Sequence, residues 1–122
     1  MLGYVTLGTN DHDKALAFYD ALLGSIGHGR VFDDGNFVAW GESLDQPAVA
    51  ITRPFNEEPA TVGNGVMVAM QMPDKAAVDA FYQKALELGA TDEGAPGQRI
   101  EGFYAGYFRD LDGNKLNAFV FA

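Results

Sequence analysis

The stretch Ala15-Leu16-Ala17-Phe18-Tyr19 returns 63 residues later as Val78-Asp79-Ala80-Phe81-Tyr82, with Ala-Phe-Tyr in the same order. The same shift extends to both sides of this stretch, where it places Val5 on Val68, Asp11 on Asp74 and Leu23 on Leu86. Near the end of each half the shift becomes 67, which lays Leu44-Asp45 on Leu111-Asp112. A shared amphipathic helix pattern alone would produce part of this agreement, but the common register predicts an internal duplication.

The first half of the chain has the pattern of one strand, one helix and three further strands. An apolar strand at 4–8 precedes a helix that begins with the N-cap chemistry of Asn10 and Asp11 and ends at Gly24 or Gly27. Extended stretches follow at 28–32, 37–40 and 48–53, and segments rich in turn residues separate them.

The second half repeats this pattern after a connector at 54–59 that contains prolines and acids. We predict a strand at 66–72, a helix that begins at Pro73-Asp74 and ends at Gly89, and strands at 98–100, 103–108 and 115–121. The strand at 98–100 has the weakest pattern. Asp110-Leu111-Asp112-Gly113-Asn114 joins the last two strands as a hairpin turn.

These patterns predict an α+β fold built from two tandem βαβββ modules. The modules lie at about 1–54 and 64–122 of a single domain over 1–122. We expect their strands to form one curved mixed sheet, or a two-part barrel, around a central cleft with the helices outside. The functional site is expected in that cleft, where the two modules face each other.

The composition excludes several classes of function. Apolar residues make up 48% and charged residues 20%, as in a folded globular protein. The formal charge of -9, from 17 acidic and 8 basic residues, opposes binding to nucleic acid or anionic lipid. With no cysteine, the chain has no thiolate nucleophile and no zinc-cysteine site. We see no signal peptide or membrane span and expect a cytoplasmic protein.

The order of elements and the repeated Ala-Phe-Tyr resemble the vicinal oxygen chelate superfamily, which includes glyoxalase I, extradiol dioxygenases and bleomycin-resistance proteins. The resemblance covers nearly the whole chain, and no single motif in it is specific alone. Its motifs are Tyr4-Val5-Thr6-Leu7, the two helix stretches quoted above, Gly94-Ala95-Pro96-Gly97-Gln98-Arg99 and Asp110-Leu111-Asp112-Gly113-Asn114.

The resemblance implies four positions that hold a divalent ion in metal-using members, usually with His or Glu. In this chain these positions carry Tyr4, Ala50, Met67 and Asn117. A phenol, a methyl group, a thioether and an amide are poor replacements, because a hard divalent ion needs anionic oxygens or neutral imidazoles. We therefore predict no metal ion and no other cofactor, which removes the central component of glyoxalase and dioxygenase chemistry.

The resemblance also implies which side chains contact a ligand. We name Tyr4, Ala50, Met67 and Asn117 as pocket residues, with cavity filling as the alternative. Arg99 is a candidate partner for a ligand carboxylate or phosphate, with a solvated arginine as the alternative, and Tyr104 is a candidate aromatic contact. Trp40 is a further candidate, although strand alternation puts Phe37 on the opposite face and only one of the two can face the cleft.

No catalytic residue is identified from the sequence. His12 beside Asp11 and Asp13 is expected at the surface, whereas His28 is the better candidate for proton transfer or ligand contact. Our first hypothesis is a metal-free protein that binds a small molecule in the inter-module cleft, in the manner of bleomycin-resistance proteins. The alternative is a lyase, isomerase or dioxygenase-type enzyme of the same superfamily. A homodimer is expected in either case.

Overall fold

The computed structural model describes all 122 residues, which divide into two compact units, Met1–Val62 and Gly63–Ala122. The first unit contains one helix and four strands, which are β1 (Tyr4–Gly8), α1 (His12–Gly24), β2 (Gly29–Asp33), β3 (Val38–Gly41) and β4 (Ala48–Thr52). The second unit has the same order of elements, which are β5 (Val68–Gln71), α2 (Lys75–Glu87), β6 (Thr91–Ile100), β7 (Phe103–Arg109) and β8 (Lys115–Val120).

Each unit forms its own mixed four-stranded sheet. The strand order is β1-β4-β3-β2 in the first unit and β5-β8-β7-β6 in the second. In both sheets the first strand pairs in parallel with the last strand of its unit, and the remaining pairs are antiparallel. The two units therefore share one topology, which confirms the predicted pair of βαβββ modules.

Both helices begin at the predicted aspartates. The Asp11 side chain accepts from the backbone N–H of Lys14, and the Asp74 side chain accepts from that of Ala77. These bonds satisfy N–H groups that have no partner within the helix. Gly27 and Gly89, with φ of 84° and 104°, follow the two helices in a conformation that glycine adopts without strain. Neither helix has the length and apolar character needed to cross a membrane.

Each helix packs on one face of its own sheet through aromatic side chains. In the first unit the Tyr19 and Trp40 rings lie 5.7 Å apart, and Trp40 Nε1 donates a 2.8 Å hydrogen bond to Asp20. In the second unit the Phe81 and Phe108 rings lie 6.1 Å apart. These buried rings account for much of the apolar area that stabilises each unit.

Strand β6 is longer than the predicted strand at 98–100, because it begins at Thr91 and runs for 10 residues. Register shifts on either side of Gly94 break the periodicity on which a strand prediction depends. Tyr82 on α2 donates a 2.7 Å hydrogen bond to Asp92 and so anchors the start of β6 to the helix. Gly106 allows close packing here, since a Cβ at that position would lie 2.9 Å from Pro96 Cγ.

The predicted hairpin turn between β7 and β8 is organised around one buried carboxylate. Asp110 Oδ1 accepts from the backbone N–H groups of Asp112 and Asn114, both at 2.9 Å. Asp110 Oδ2 accepts from Asn114 Nδ2 at 2.9 Å. The Asp110 side chain thus replaces the partners that the turn's own backbone cannot provide.

We expect Asp110→Ala to lower the free energy of unfolding by about 3 kcal/mol, because it removes three hydrogen bonds that the buried carboxylate accepts. Urea denaturation of the intact chain measures this change. Asp45→Ala is the control, since Asp45 is an exposed aspartate at the repeat position of Asp112, and its effect should stay within about 0.5 kcal/mol. Equal effects of the two substitutions would contradict this account of the turn.

A second prediction concerns pH and Asp20. The hydrogen bond from Arg30 is the main reason that the pKa of Asp20 lies below its ordinary value of 3.8, and burial opposes the shift. A lowered folded pKa means that the ionised carboxylate stabilises the fold above the unfolded pKa and loses this effect as pH falls through the folded pKa. Asp20→Asn should therefore be less stable than the wild type at neutral pH, and the difference should shrink below pH 3.8. Unfolding in urea across this range tests the prediction; a constant difference at all pH values would contradict it.

Candidate functional site

The first sheet has two chemically different faces. Val38 and Trp40 lie on the face that α1 covers, as the contact between Trp40 and Tyr19 shows. Phe37 and Ala39 alternate with them and lie on the opposite face. Tyr4 shares this second face, because its ring packs edge-on against Phe37 at 5.6 Å. We call this second face the pocket face.

The pocket face contains a cavity of about 420 Å³, which we call the aromatic pocket. This volume falls within the range of sites that bind small organic molecules. The aromatic pocket is lined by Gly3, Tyr4, Val31, Phe32, Phe37, Ala39, Leu44, Gln46 and Ala48. All of these residues belong to the first unit.

Three aromatic rings form the wall of the aromatic pocket. Phe37 packs edge-on against Tyr4 at 5.6 Å and against Phe32 at 5.9 Å, with interplanar angles of 80° and 70°. Tyr4 is 62% exposed and Phe32 is 46% exposed, although both are large side chains with apolar rings. A cluster of exposed aromatic rings beside a cavity is typical of a ligand-binding surface.

The floor of the aromatic pocket exists because small residues stand on the central strands. Ala48 pairs with Tyr4 across the parallel β1–β4 ladder, and Ala39 pairs with Ala50 across β3–β4. Glycine has no side chain and alanine only a methyl group, so these residues leave space that larger side chains would fill. The recess therefore depends on residues whose chemistry is unremarkable, which explains why Ala39 and Ala48 were not singled out from the sequence.

The second unit fills the equivalent face with its own side chains. Tyr107 pairs with Asn117 as Ala39 pairs with Ala50, and Lys115 occupies the repeat position of Ala48. The Arg99 guanidinium lies 5.2 Å from the centre of the Tyr107 ring, and Lys115 Nζ lies 5.5 Å from it. The duplicated modules thus offer an apolar recess in one case and a cationic surface in the other.

Arg99 and Lys115 are notable in an acidic chain because neither forms a direct ion pair with a carboxylate. Arg99 donates a hydrogen bond to the Ala95 carbonyl. Asn117 on the same face is 1% exposed, and its Oδ1 has no hydrogen-bond partner. A buried carbonyl oxygen of this kind is an acceptor for an N–H or O–H group.

Two of the predicted ligand contacts lie on the helix side of their sheets. Trp40 is 1% exposed and is enclosed by Tyr19 and Asp20, so Phe37 supplies the aromatic ring of the pocket face instead. Tyr104 donates a 2.6 Å hydrogen bond to Asp79 on α2, and this bond is the main reason that the pKa of Tyr104 is raised. Tyr107, three residues later, is the tyrosine beside Arg99.

The four positions implied to hold a metal ion do not fit one chemically. Tyr4 is a largely exposed phenol, and Met67 is a thioether that is 41% exposed. Ala50 is fully buried and has no donor atom, which leaves Asn117 with the single neutral oxygen of the set. Nowhere in the chain do three His, Cys, Asp or Glu side chains group as metal ligands.

The two histidines occupy different environments from those expected. His12, expected at the surface, is only 7% exposed, and its Nε2 lies 2.6 Å from the Asn36 carbonyl oxygen. His28 is half-buried with an unpartnered Nδ1 and does not line the aromatic pocket. Phe32 and Leu44 line the pocket but were not predicted to do so. Phe32 was missed because the register shift between Arg30 and Phe32 interrupts the alternation of β2.

Comparison with known proteins agrees with this architecture. A glyoxalase/bleomycin resistance protein from Albidiferax ferrireducens is 35% identical with a TM-score of 0.88, and the match covers 98% of this chain and 97% of that one. A superfamily member from Sphaerobacter thermophilus is 26% identical over 98% of this chain and 95% of its own, with a TM-score of 0.69. Lactoylglutathione lyase from Agrobacterium tumefaciens shares the fold at 23% identity, with a TM-score of 0.72 and coverage of 98% and 92%.

No curated protein is similar enough to this sequence to count as a match. The sequence does match the family description "Glyoxalase/Bleomycin resistance protein/Dioxygenase superfamily" over residues 1–118, which is almost its full length. The chain therefore belongs to the glyoxalase/bleomycin resistance protein/dioxygenase superfamily.

Proposed function

We propose that this protein binds a small organic molecule with a planar apolar part, and that it does so without a metal ion. The observation that carries the proposal is the aromatic pocket, in which Tyr4, Phe32 and Phe37 surround a floor of glycine and alanine. An aromatic ring on this floor would meet ring edges on one side and methyl groups below. Both contacts favour apolar over polar occupants.

The free energy gained by burying a ring indicates what kind of ligand suits the aromatic pocket. Burying about 150 Å² of apolar ring surface contributes about 4 kcal/mol, which is comparable to the lower range of the cost of association. A single ring therefore binds weakly, and a tight ligand needs further contacts. The Tyr4 hydroxyl and the Gln46 amide provide polar groups on the lining. Independently of the aromatic pocket, Arg99 and Lys115 of the second unit are our candidates for contact with a carboxylate or phosphate.

The enzyme alternative within the superfamily has weaker support. A lyase, isomerase or dioxygenase that used a divalent ion would need ligands that Tyr4, Ala50, Met67 and Asn117 do not supply. Neither histidine lines the aromatic pocket, so it lacks the side chain most often used for proton transfer near neutral pH. The similarity to a lactoylglutathione lyase is a similarity of fold.

The binding proposal predicts that N-phenyl-1-naphthylamine, a neutral fluorophore with a planar naphthalene ring, binds the protein with a rise in fluorescence. Ala48→Phe should weaken this binding by about tenfold or more, because the new ring occupies the floor beside Tyr4. Phe37→Ala should weaken it to a similar extent by removing the central ring of the wall. Fluorescence titration gives the dissociation constants, and circular dichroism verifies that each variant is folded.

Phe121→Ala is the matched control for the fluorophore experiment, because it removes an exposed ring from the second unit. It should leave the dissociation constant unchanged within about twofold. If Ala48→Phe and Phe37→Ala bind the fluorophore as tightly as Phe121→Ala, the aromatic pocket is not the binding site. If the wild type does not bind it at all, the proposed function loses its main support.

The metal-free part of the proposal predicts no thermal stabilisation by Zn²⁺, Mn²⁺ or Ni²⁺. An ion at a hundredfold excess over its dissociation constant would stabilise the native state by about 2.7 kcal/mol, which shifts Tm by several degrees. We expect a change below about 1 °C, measured by differential scanning fluorimetry after dialysis against EDTA. Stoichiometric metal in the purified protein, together with turnover of a thiohemiacetal or catechol that EDTA abolishes, would instead establish the enzyme alternative.

A further inference from the structure

The turn between β2 and β3 is held in shape by two aspartates. The Gly35 N–H donates to Asp33 Oδ1 at 2.8 Å. The N–H groups of Asn36 and Phe37 both donate to Asp34 Oδ1, at 3.0 and 2.8 Å. Gly35 completes the turn with φ of 96°. These bonds determine the local shape of the turn, but all of them lie within it, so they do not locate it relative to the rest of the unit.

Arg30 links the turn to α1 by donating to both Asp33 and Asp20, and Asn36 adds connections to two further places in the unit. Its carbonyl oxygen lies 2.6 Å from Nε2 of His12, the first residue of α1, and a ring nitrogen bound to a carbonyl must be the N–H donor. Its side-chain Oδ1 accepts from Arg53, which follows β4, through both the backbone N–H and Nη1 at 3.2 Å. One exposed asparagine thus joins the start of α1, the β2–β3 turn and the end of β4.

Two of the three aromatic rings in the wall of the aromatic pocket flank this turn. Phe32 precedes Asp33, Phe37 follows Asn36, and their rings contact each other at 5.9 Å. Hairpin turns at a surface are usually among the more mobile parts of a domain. If the turn were mobile, ordering its aromatic rings on binding would reduce the binding free energy of a ligand. A tethered turn holds the rings in place before the ligand binds.

From this arrangement we infer that Asn36 is a positioning residue for the aromatic pocket, acting with His12 and Arg53 although none of the three lines it. Asn36 holds Phe37 against Tyr4 and Phe32, so that the recess is formed before a ligand arrives. Its ligand is the planar apolar group of the proposed function, on which this inference rests. The two are separable, because the tether itself can be measured without any ligand.

The experiment compares Asn36→Ala with the matched variant Asn56→Ala. Asn56 also lies in the first unit and accepts a 3.0 Å bond from the Glu58 N–H, but neither it nor Glu58 lines the aromatic pocket or adjoins a residue that does. Asn36→Ala removes the acceptor for Arg53 and keeps the backbone contact with His12. It should weaken binding of N-phenyl-1-naphthylamine about three- to tenfold and accelerate hydrogen exchange at the amides of Gly35 and Phe37. Asn56→Ala should change neither quantity.

Two further variants separate positioning from general stability. Asn36→Asp retains a side-chain acceptor for Arg53 and should restore affinity to within about twofold of the wild type. Asp110→Ala, destabilised in the second unit, should bind the fluorophore normally at a temperature where it is folded. If Asn36→Ala binds as tightly as the wild type, or if Asn36→Asp is as impaired as Asn36→Ala, the inference is overturned.

The ligand-free measurement keeps the inference distinct from the proposed function. If the wild type fails to bind the fluorophore, the proposed function is contradicted, yet the exchange rates still report whether Asn36 tethers the turn. Unchanged exchange at Phe37 in Asn36→Ala would overturn the positioning role even if the wild type binds well.

Discussion

The packing of Tyr19 in α1 against Trp40 in β3 decides which side chains of the first sheet are available for binding. Strand residues alternate between two faces, so once Trp40 is buried under the helix, Phe37 and Ala39 must occupy the other face. The aromatic pocket forms on the face that the helix leaves uncovered. Its wall consists of rings that the helix does not bury, and its floor consists of alanines that leave room between them.

The two modules show how a duplicated framework can diverge in chemistry. The strand order and the aspartate N-caps are the same in both, and in each unit an aromatic residue of the helix packs on an aromatic residue of the third strand. The faces opposite the helices differ because Ala39 and Ala48 leave a recess, whereas Tyr107 and Lys115 project into the equivalent space. Changes at a few such positions cost little stability, since they do not disturb the packing between each helix and its sheet.

The positions that the resemblance implies as metal-binding carry side chains that are poor ligands for a cation. Tyr4 is one example, because it stands at a position implied to hold a metal ligand and contributes a ring to an apolar wall. Asn117 is a second example, with a buried amide oxygen without a partner. In each module the sheet directs this side chain to the face opposite its own helix. The side chain itself is suited to organic groups rather than to a cation. The superfamily membership and the proposed binding function are thus compatible.

The sequence alone determined the repeated βαβββ order, the N-caps at Asp11 and Asp74, and the Asp110 turn, because short-range patterns of alternation, capping and turn residues encode these features. It also indicated the family, which the match over residues 1–118 shows. The length of β6 and the pocket residue Phe32 escaped prediction, since bulges interrupt the period on which such predictions depend. Only the tertiary structure decided between Phe37 and Trp40, and only it brought His12, Asn36 and Arg53 together. Alternation divides a strand's residues into two sets, but which set a helix covers depends on packing between segments that are distant in the chain.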